Sequence, residues 1–297
     1  MFNEFEEYFS TLKIDKSPNT LRSYTNALNR FIEYFSIKCV DDIKKLSDSD
    51  IQSYLNFLAS KPSAKNKDTA KSSANAHYRV IKAFLNWLKE HDYIEDVPIA
   101  KVRRYKEAKR VAEILTKEER DNIILATKKR LGLHAMMVVM FYTGIRRSEA
   151  INIKIEDINN GYLLIHGKGN KERQLPLTPF VQSVIKEYLS KRKDGSPYLF
   201  VSLHGQHQIT DSSLQARVKK ACEMGGIEEE RLKKIGAHTI RRSFACNLLL
   251  DGWSTFAIQK ALGHSSVLTT DLYVEPAKSI AATKALMNQS APSWYEI

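Results

Sequence analysis

Cysteine, glycine and long apolar runs are all scarce in this 297-residue chain. Its three cysteines, Cys39, Cys222 and Cys246, stand far apart and form no CxxC pair, which predicts that they stay reduced inside a cell. The longest apolar stretch, "AMMVVMF", is far shorter than the roughly 18 residues that a membrane span requires. The acidic start "MFNEFEEYFS" does not read as a secretory signal. We therefore expect a cytoplasmic protein without a membrane partner.

Motifs for metal and nucleotide chemistry are also missing from the sequence. The histidines show no HExxH spacing, and no paired carboxylates accompany them as metal ligands. No GxxxxGK[ST] segment is present to cradle a nucleotide phosphate. The sequence thus predicts an activity that uses neither a metal nor a cofactor.

Positive charge is abundant and unevenly distributed. The formal net charge is +12, and the sequence pI is about 9.4. Residues 1–100 are electrically balanced, whereas the decapeptide "KVRRYKEAKR" at 101–110 has a net charge of +5 and the remainder supplies +7. Lysine and arginine displace condensed counterions from phosphates, so nucleic acid is the favoured partner. A charge excess that merely aids solubility is the alternative that composition leaves open.

The first hundred residues show helical periodicity throughout. In "SPNTLRSYTNALNRFIEYF", Ser17 is a candidate N-cap and Pro18 occupies the first helical position. Further helical faces occur in "SDSDIQSYLNFLAS" and "ANAHYRVIKAFLNWLKEH", with "KPSAKNKDTAK" as a loop between them. We expect a helical domain at residues 1–100, followed by an exposed basic linker at 101–112.

Residues 113–297 form the second predicted domain. Thr116 and Glu119 have the spacing of a capping box at a helix start. "GYLLIHGKGNKERQLPLT" breaks the helical rhythm and predicts a β-hairpin with a Gly/Asn turn. Further helices are predicted after it. The fold class is therefore mainly α with a small β-sheet, an α+β arrangement.

Four segments of the second domain carry polar groups suited to chemistry: "YTGIRRSEA", "HGKGNKER", "AHTIRRSFA" and "LGHSSVLTTDLY". Their candidate residues are Arg146, Glu149, Lys168, His238, Arg241, His264 and Tyr273. Taken singly, each has a structural explanation: a helix start, a solvated hairpin lysine, a capping or core histidine, or a buried tyrosine with a bonded hydroxyl.

Taken together, these residue types match one chemical task. Cleavage of a phosphodiester by a protein hydroxyl requires a nucleophile, donors for the charge on the phosphorane and an acid for the leaving oxygen. Arginine offers a rigid fork to phosphate oxygens, and histidine moves protons near neutral pH. A tyrosine can attack as a phenolate-like nucleophile in cationic surroundings.

In this order, the motifs "TGIRRSE", "GKGNKERQLPL", "HTIRRSFA" and "LGHSSVLTTDLY" resemble the tyrosine recombinase (phage integrase) family in its compact, Xer-like form. The first hundred residues resemble the helical, SAM-like core-binding domain of that family, so the similarity spans nearly the whole chain. The resemblance implies a core-binding domain and a catalytic domain that form a C-shaped clamp around DNA.

The resemblance also implies a role for each matching residue. Arg146 and Arg241 would hold the scissile phosphate, and His264 would bond to it. Lys168 would protonate the 5′-oxygen, and His238 would help to accept the proton of Tyr273. Tyr273 would attack, leaving a 3′-phosphotyrosyl bond and a free 5′-hydroxyl.

The remaining candidate residues are expected to support the site or to contact DNA. Glu149 is expected to brace Arg146. Arg147 and Arg242 lie one place off the TGxR and HxxR patterns, and we assign them to DNA backbone contacts or to packing. The basic linker supplies the other expected DNA contacts, which are Arg103, Arg104, Lys106, Lys109 and Arg110.

The implied function is site-specific recombination of double-stranded DNA through a Holliday junction. Four protomers would act at a specific core site, as a homotetramer or as a heterotetramer with a paralogue. A short helix at 277–289, with Ile280, Ala281, Leu286 and Met287 apolar, would dock on a neighbouring protomer or pack in cis.

Several functions remain open at this stage. Chromosome-dimer resolution is the expected task, and a mobile-element integrase or resolvase of the same family is an alternative. A type IB topoisomerase-like nicking–closing enzyme is another alternative. A DNA-binding module with a decayed site is the third, and the intact set of candidate residues argues against it.

Overall fold

A computed structural model describes residues 3–60, 67–106, 112–167, 171–202, 207–263 and 266–287. The chain divides into two compact units, Met1–Arg110 and Val111–Ile297. Within the described ranges, no helix is long and apolar enough to cross a membrane.

In the part of the first unit that the structure describes, there are five helices. They are α1 (Asn3–Asp15), α2 (Pro18–Phe35), α3 (Val40–Lys44), α4 (Asp48–Ser60) and α5 (Lys67–Glu90). The Ser17 side chain accepts a hydrogen bond from the Thr20 N–H, which confirms the predicted cap. Helix α5 begins at Lys67, inside the segment that we expected to be a loop. Ala70 and Ala74 are buried, so packing extends the helix into that polar stretch.

The second unit opens with α6 (Lys117–Thr127), α7 (Leu131–Thr143) and α8 (Arg147–Asn152). The capping box of Thr116 and Glu119 is confirmed, with both reciprocal bonds present. Helix α7 is apolar around nearly its whole circumference, and every residue from His134 to Phe141 is buried. Such a helix belongs in the centre of a domain. Helix α6 packs against α7.

A three-stranded antiparallel sheet follows, in the order β1-β2-β3. Its strands are β1 (Ile158–Asn159), β2 (Tyr162–His166) and β3 (Glu172–Pro176), and Leu163 pairs with Leu175. The strands β2 and β3 confirm the predicted hairpin. The tip residues 168–170, and with them Lys168, lie outside the described residues.

The described residues after the sheet form six further helices: α9 (Pro179–Lys191), α10 (Asp211–Met224), α11 (Glu229–Leu232), α12 (Ala237–Leu250), α13 (Thr255–Leu262) and α14 (Val267–Met287). Helix α14 carries Tyr273 and runs on through Pro276. We expected a separate helix from residue 277, so the helix begins ten residues earlier than predicted. Thr270, Val274 and Ala277 are buried on one face of α14, which offsets the cost of an interior proline. The predicted apolar face at 280–287 lies outside the described side chains.

Candidate active site

Arg146 owes its position to the glycine that ends α7. Gly144 has a φ of 59°, the left-handed conformation of a helix C-cap. A Cβ at this position would lie 2.2 Å from a ring atom of Phe244 on α12. Only glycine therefore lets the end of α7 approach α12 this closely. Arg146 then occupies the N-cap of α8, beside α12.

Arg241 lies on α12, and only 1% of its surface is exposed. Its Nη1 donates to the Gly144 carbonyl at 2.7 Å, and its Nη2 donates to the Leu262 carbonyl at 2.7 Å. Burial, together with the charge of Arg146, lowers the pKa of Arg241 to about 10. The guanidinium therefore stays charged at neutral pH.

The two arginines meet at the end of α13. Arg146 Nη2 donates to the Gly263 carbonyl at 2.9 Å, one residue beyond the carbonyl that Arg241 holds. Both side chains therefore hold the last residues before position 264. His264 itself lies outside the described residues.

Glu149 lies between the arginines and is almost wholly buried. Its carboxylate accepts the Arg146 backbone N–H at 2.7 Å and Arg146 Nη1 at 2.8 Å. The two amino groups of Arg173 donate to its two oxygens, each at 2.8 Å. Burial opposes ionisation, but the hydrogen bonds from Arg173 and Arg146 lower the pKa of Glu149 to about 2. Glu149 is therefore ionised at neutral pH and orients the side chains of Arg146 and Arg173.

Sequence reasoning missed Arg173. A signal was present, because Arg173 and Leu175 alternate along β3 and so face the same side of the sheet. Leu175 is buried, so a charged residue two positions before it requires a buried partner. The identity of that partner, Glu149, was not readable from the strand.

Tyr273 lies half-buried on α14, next to the start of α12. Its hydroxyl is 3.5 Å from Nδ1 of His238. Partial loss of hydration, followed by the charges of Arg241, Arg147, Arg242 and Arg146, lowers the pKa of His238. The neutral imidazole, which can accept a proton, is therefore favoured at neutral pH.

The two neighbouring arginines lie in different surroundings. Arg147 is exposed and pairs with Asp211, at the start of α10, at 2.7 Å. Arg242 points toward the nucleophile candidate instead, with Cζ 5.4 Å from the ring centroid of Tyr273. The geometry therefore gives Arg242 a packing partner inside the site.

The basic segment of the first unit is held by side chains rather than left free. Asn75 accepts the Tyr105 N–H at 3.0 Å and donates to the Tyr105 carbonyl at 2.9 Å. Asp48 and Gln52, one turn apart on α4, accept the backbone N–H groups of Lys101 and Arg103. Part of the segment that we expected to be a linker is thus attached to the helical unit.

This attachment shapes a groove of about 570 Å³ with a basic lining. Its lining residues are Asn75, Arg79, Arg103, Arg104, Tyr105 and Lys106. Three of the expected DNA contacts therefore share one surface. The other two expected contacts from the linker, Lys109 and Arg110, lie outside the described residues.

Comparison with known proteins gives the family. Residues 113–279 match the model described as "Phage integrase family", and residues 5–92 match "Phage integrase, N-terminal SAM-like domain". Tyrosine recombinase XerD of Oceanobacillus iheyensis is 30% identical, over 92% of this chain and 94% of that protein. Tyrosine recombinase XerA of Pyrococcus furiosus is 31% identical, over 90% and 87%.

Solved structures share the fold. A XerH site-specific recombinase bound to palindromic difH substrate has a TM-score of 0.73 at 23% identity, covering 90% of this chain and 79% of that one. A lambda integrase tetramer bound to a Holliday junction has a TM-score of 0.70 at 19% identity, covering 92% and 77%. The fold is therefore that of these recombinase and integrase structures. The chain belongs to the phage integrase family, as an Xer-like tyrosine recombinase.

Proposed function

We propose that this recombinase cleaves and rejoins double-stranded DNA at a specific core site, with Tyr273 as the nucleophile. The observation that carries the proposal is the convergence of Tyr273, His238 and the two arginines Arg146 and Arg241 around the start of α12 and the end of α13. The four residues come from three elements, the N-cap of α8, helix α12 and helix α14, and their chemistry fits phosphoryl transfer to a hydroxyl.

In the proposed step, the Tyr273 oxygen bonds to the scissile phosphorus while the bond from phosphorus to the 5′-oxygen breaks. The phenol proton passes to neutral His238, and Lys168 donates a proton to the leaving 5′-oxygen. The products are a 3′-phosphotyrosyl linkage and a free 5′-hydroxyl. Attack of a 5′-hydroxyl reverses the step and rejoins DNA, so no external energy source is needed.

Arg146 and Arg241 stabilise the negative charge of the phosphorane in this proposal. Each guanidinium carries five N–H donors. Within the described residues, the carbonyl bonds of Arg241 use two of them, which leaves others for phosphate oxygens. Glu149 keeps the pair in position, and His264 completes the phosphate contacts.

The groove of the first unit is the proposed nonspecific part of the DNA contact. Arg103, Arg104 and Lys106 line it. Lys109, Arg110 and Arg147 remain proposed DNA contacts on the basis of their charge and sequence positions. These cations would release counterions from the DNA backbone and make binding strongly dependent on salt.

We further propose that the enzyme works as a tetramer in the cytoplasm and resolves chromosome dimers through a Holliday junction. The similarity to Xer recombinases over 92% of the chain supports this task, and the lambda integrase tetramer on a Holliday junction shares the fold. Recombination of a plasmid with two core sites tests it. Relaxation of supercoils without exchange would instead indicate a nicking–closing enzyme, and integration of a single-site circle would indicate a mobile-element enzyme.

The proposed chemistry is tested with a nicked suicide duplex that carries a core site obtained by selection for bound DNA. Wild-type protein, in the presence of a chelator, is expected to form a covalent adduct that resists denaturant. Tyr273→Phe is expected to bind the duplex equally well and to form no adduct. Binding by wild type without an adduct would contradict the proposal.

A further inference from the structure

Helix α12 presents three residues at four-residue spacing to a single partner, Tyr273. His238 Nδ1 lies 3.5 Å from the Tyr273 hydroxyl. Arg242 Cζ lies 5.4 Å from the centre of the Tyr273 ring. Cys246 Sγ donates to the Tyr273 backbone carbonyl at 3.2 Å. Residues spaced by four lie along one helix face, so α12 contacts the hydroxyl, the ring and the backbone of the tyrosine in succession.

Arg242 packs against the ring as a cation. Its Nε is buried and has no hydrogen-bond partner within the described residues. A guanidinium within about 6 Å of an aromatic centroid is attracted by the negative ring face.

Cys246 contacts the backbone that carries the ring. The thiol is buried, and burial raises its pKa to about 11, so it remains protonated at neutral pH and can donate. Its acceptor, the carbonyl of residue 273, belongs to α14. The contact therefore helps to fix the position of α14 along the axis of α12.

We propose that Arg242 and Cys246 are positioning residues that hold the Tyr273 ring and backbone so that the hydroxyl faces His238. This inference rests on the proposed role of Tyr273 as the nucleophile. Arg242 then acts through the tyrosine and not through the DNA backbone, which was the other assignment that its sequence position allowed.

The decisive comparison is between Arg242→Gln, Arg242→Lys and a matched control, Arg120→Gln. Arg120 also lies over a tyrosine, Tyr142, at 5.4 Å in the same unit, but it is not part of the proposed site. Two quantities are measured for each full-length variant: the rate of adduct formation on saturating suicide duplex, and the DNA affinity as a function of salt. Thermal melting shows that each variant is folded.

Arg242→Gln is expected to slow adduct formation by about 10- to 100-fold, the loss that a misplacement near 1 Å produces. Its DNA affinity and the slope of log affinity against log salt should match wild type. Arg242→Lys should recover part of the rate, because it restores a cation over the ring. Arg120→Gln should form the adduct at the wild-type rate.

A phosphate contact predicts the opposite pattern. The salt slope of Arg242→Gln would then fall by about one, with an unchanged rate at saturation. That result would overturn the proposal, as would a folded Arg242→Gln that cleaves at the wild-type rate. Adduct formation by wild type tests the role of Tyr273 separately, since the Arg242 test uses only the ratio of variant to wild-type rates.

Cys246 gives a second measurement. Cys246→Ala removes the donor to the Tyr273 carbonyl, and Cys246→Ser retains one. The alanine variant should slow adduct formation several-fold at unchanged DNA affinity, with recovery in the serine variant. If both folded variants form the adduct at the wild-type rate, Cys246 is not a positioning residue.

Discussion

Glu149 and Arg173 form a two-bond ion pair, with both nitrogen–oxygen distances at 2.8 Å, that joins the first turn of α8 to strand β3. Strand β3 is one arm of the hairpin whose tip contains Lys168. Glu149 also holds Arg146. One buried carboxylate therefore connects the hairpin to the arginine pair, and the predictions below begin from this connection.

Removal of Arg173 should destabilise the protein. In Arg173→Ala, buried Glu149 loses two hydrogen bonds and keeps its bonds to Arg146 and its ion pair with Arg241 at 3.8 Å. We expect the free energy of unfolding to fall by about 2–3 kcal/mol, somewhat less than for a pair left wholly uncompensated. Urea unfolding measures it. Lys154→Ala, which breaks the exposed pair with Glu156, should cost less than about 1 kcal/mol and is the control. Equal losses of unfolding free energy in Arg173→Ala and Lys154→Ala would show that the buried ion pair adds no more stability than the exposed one.

Glu149 should make stability depend on pH. Its pKa is lowered from 4.5 to about 2, so its contribution is present above pH 4.5 and is lost as pH falls through 2. The shift corresponds to about 3 kcal/mol. Glu149→Gln should therefore be less stable than wild type at pH 7, and the gap should narrow as pH falls below 4.5. Urea unfolding between pH 3 and 7 measures this gap. A constant gap would show that Glu149 is not ionised in this way.

His238 should control the pH dependence of cleavage. Because its pKa is lowered from 6.5, the neutral form persists below that pH, and the acid limb of the rate profile should lie below 6.5. His238→Gln should lose this limb and slow adduct formation about 100-fold. Adduct formation on saturating duplex between pH 5 and 8 is the measurement. The exposed His207→Gln should keep the wild-type profile. A limb that survives in His238→Gln would assign it to another group.

Lys168 should be required only to protonate the leaving 5′-oxygen. Lys168→Ala is expected to form the adduct about 100-fold more slowly than wild type. A duplex with sulfur in place of the bridging 5′-oxygen should restore its rate, because a thiolate leaves without protonation. The exposed hairpin residue Lys171 provides the control, and Lys171→Ala should cleave both duplexes at the wild-type rate. Failure of the sulfur duplex to rescue Lys168→Ala would exclude it as the acid.

Asn75 should hold the basic segment in place. Asn75→Ala removes both hydrogen bonds to the Tyr105 backbone and should lower the free energy of unfolding by about 1–3 kcal/mol. DNA affinity should also fall, with no change in the cleavage rate at saturation. Gln52→Ala removes a single exposed bond to Arg103 and should have a smaller effect on both quantities. An unchanged DNA affinity in Asn75→Ala would show that the groove does not contribute to DNA binding.

Local chemistry made much of this protein predictable from its sequence. The Ser17 cap, the capping box of Thr116 and Glu119 and the hairpin arms each depend on residues only a few positions apart. Residue type and motif order also identified the family. Helical periodicity was weaker evidence at Lys67 and at Val267, where burial against neighbouring helices extended α5 and α14 beyond their predicted starts.

Only the tertiary structure decided which distant side chains meet. Arg173 reaches Glu149 from 24 residues away, and Arg242 reaches Tyr273 from a different helix. Such pairs form because helices and strands that are distant in the sequence pack against each other. This packing leaves no local pattern in the sequence from which the pairs could be predicted. The sequence by itself therefore determined most of the elements and the family, and it predicted the reactive groups. Packing determined that Glu149 connects the hairpin to the arginines, and that one face of α12 contacts Tyr273.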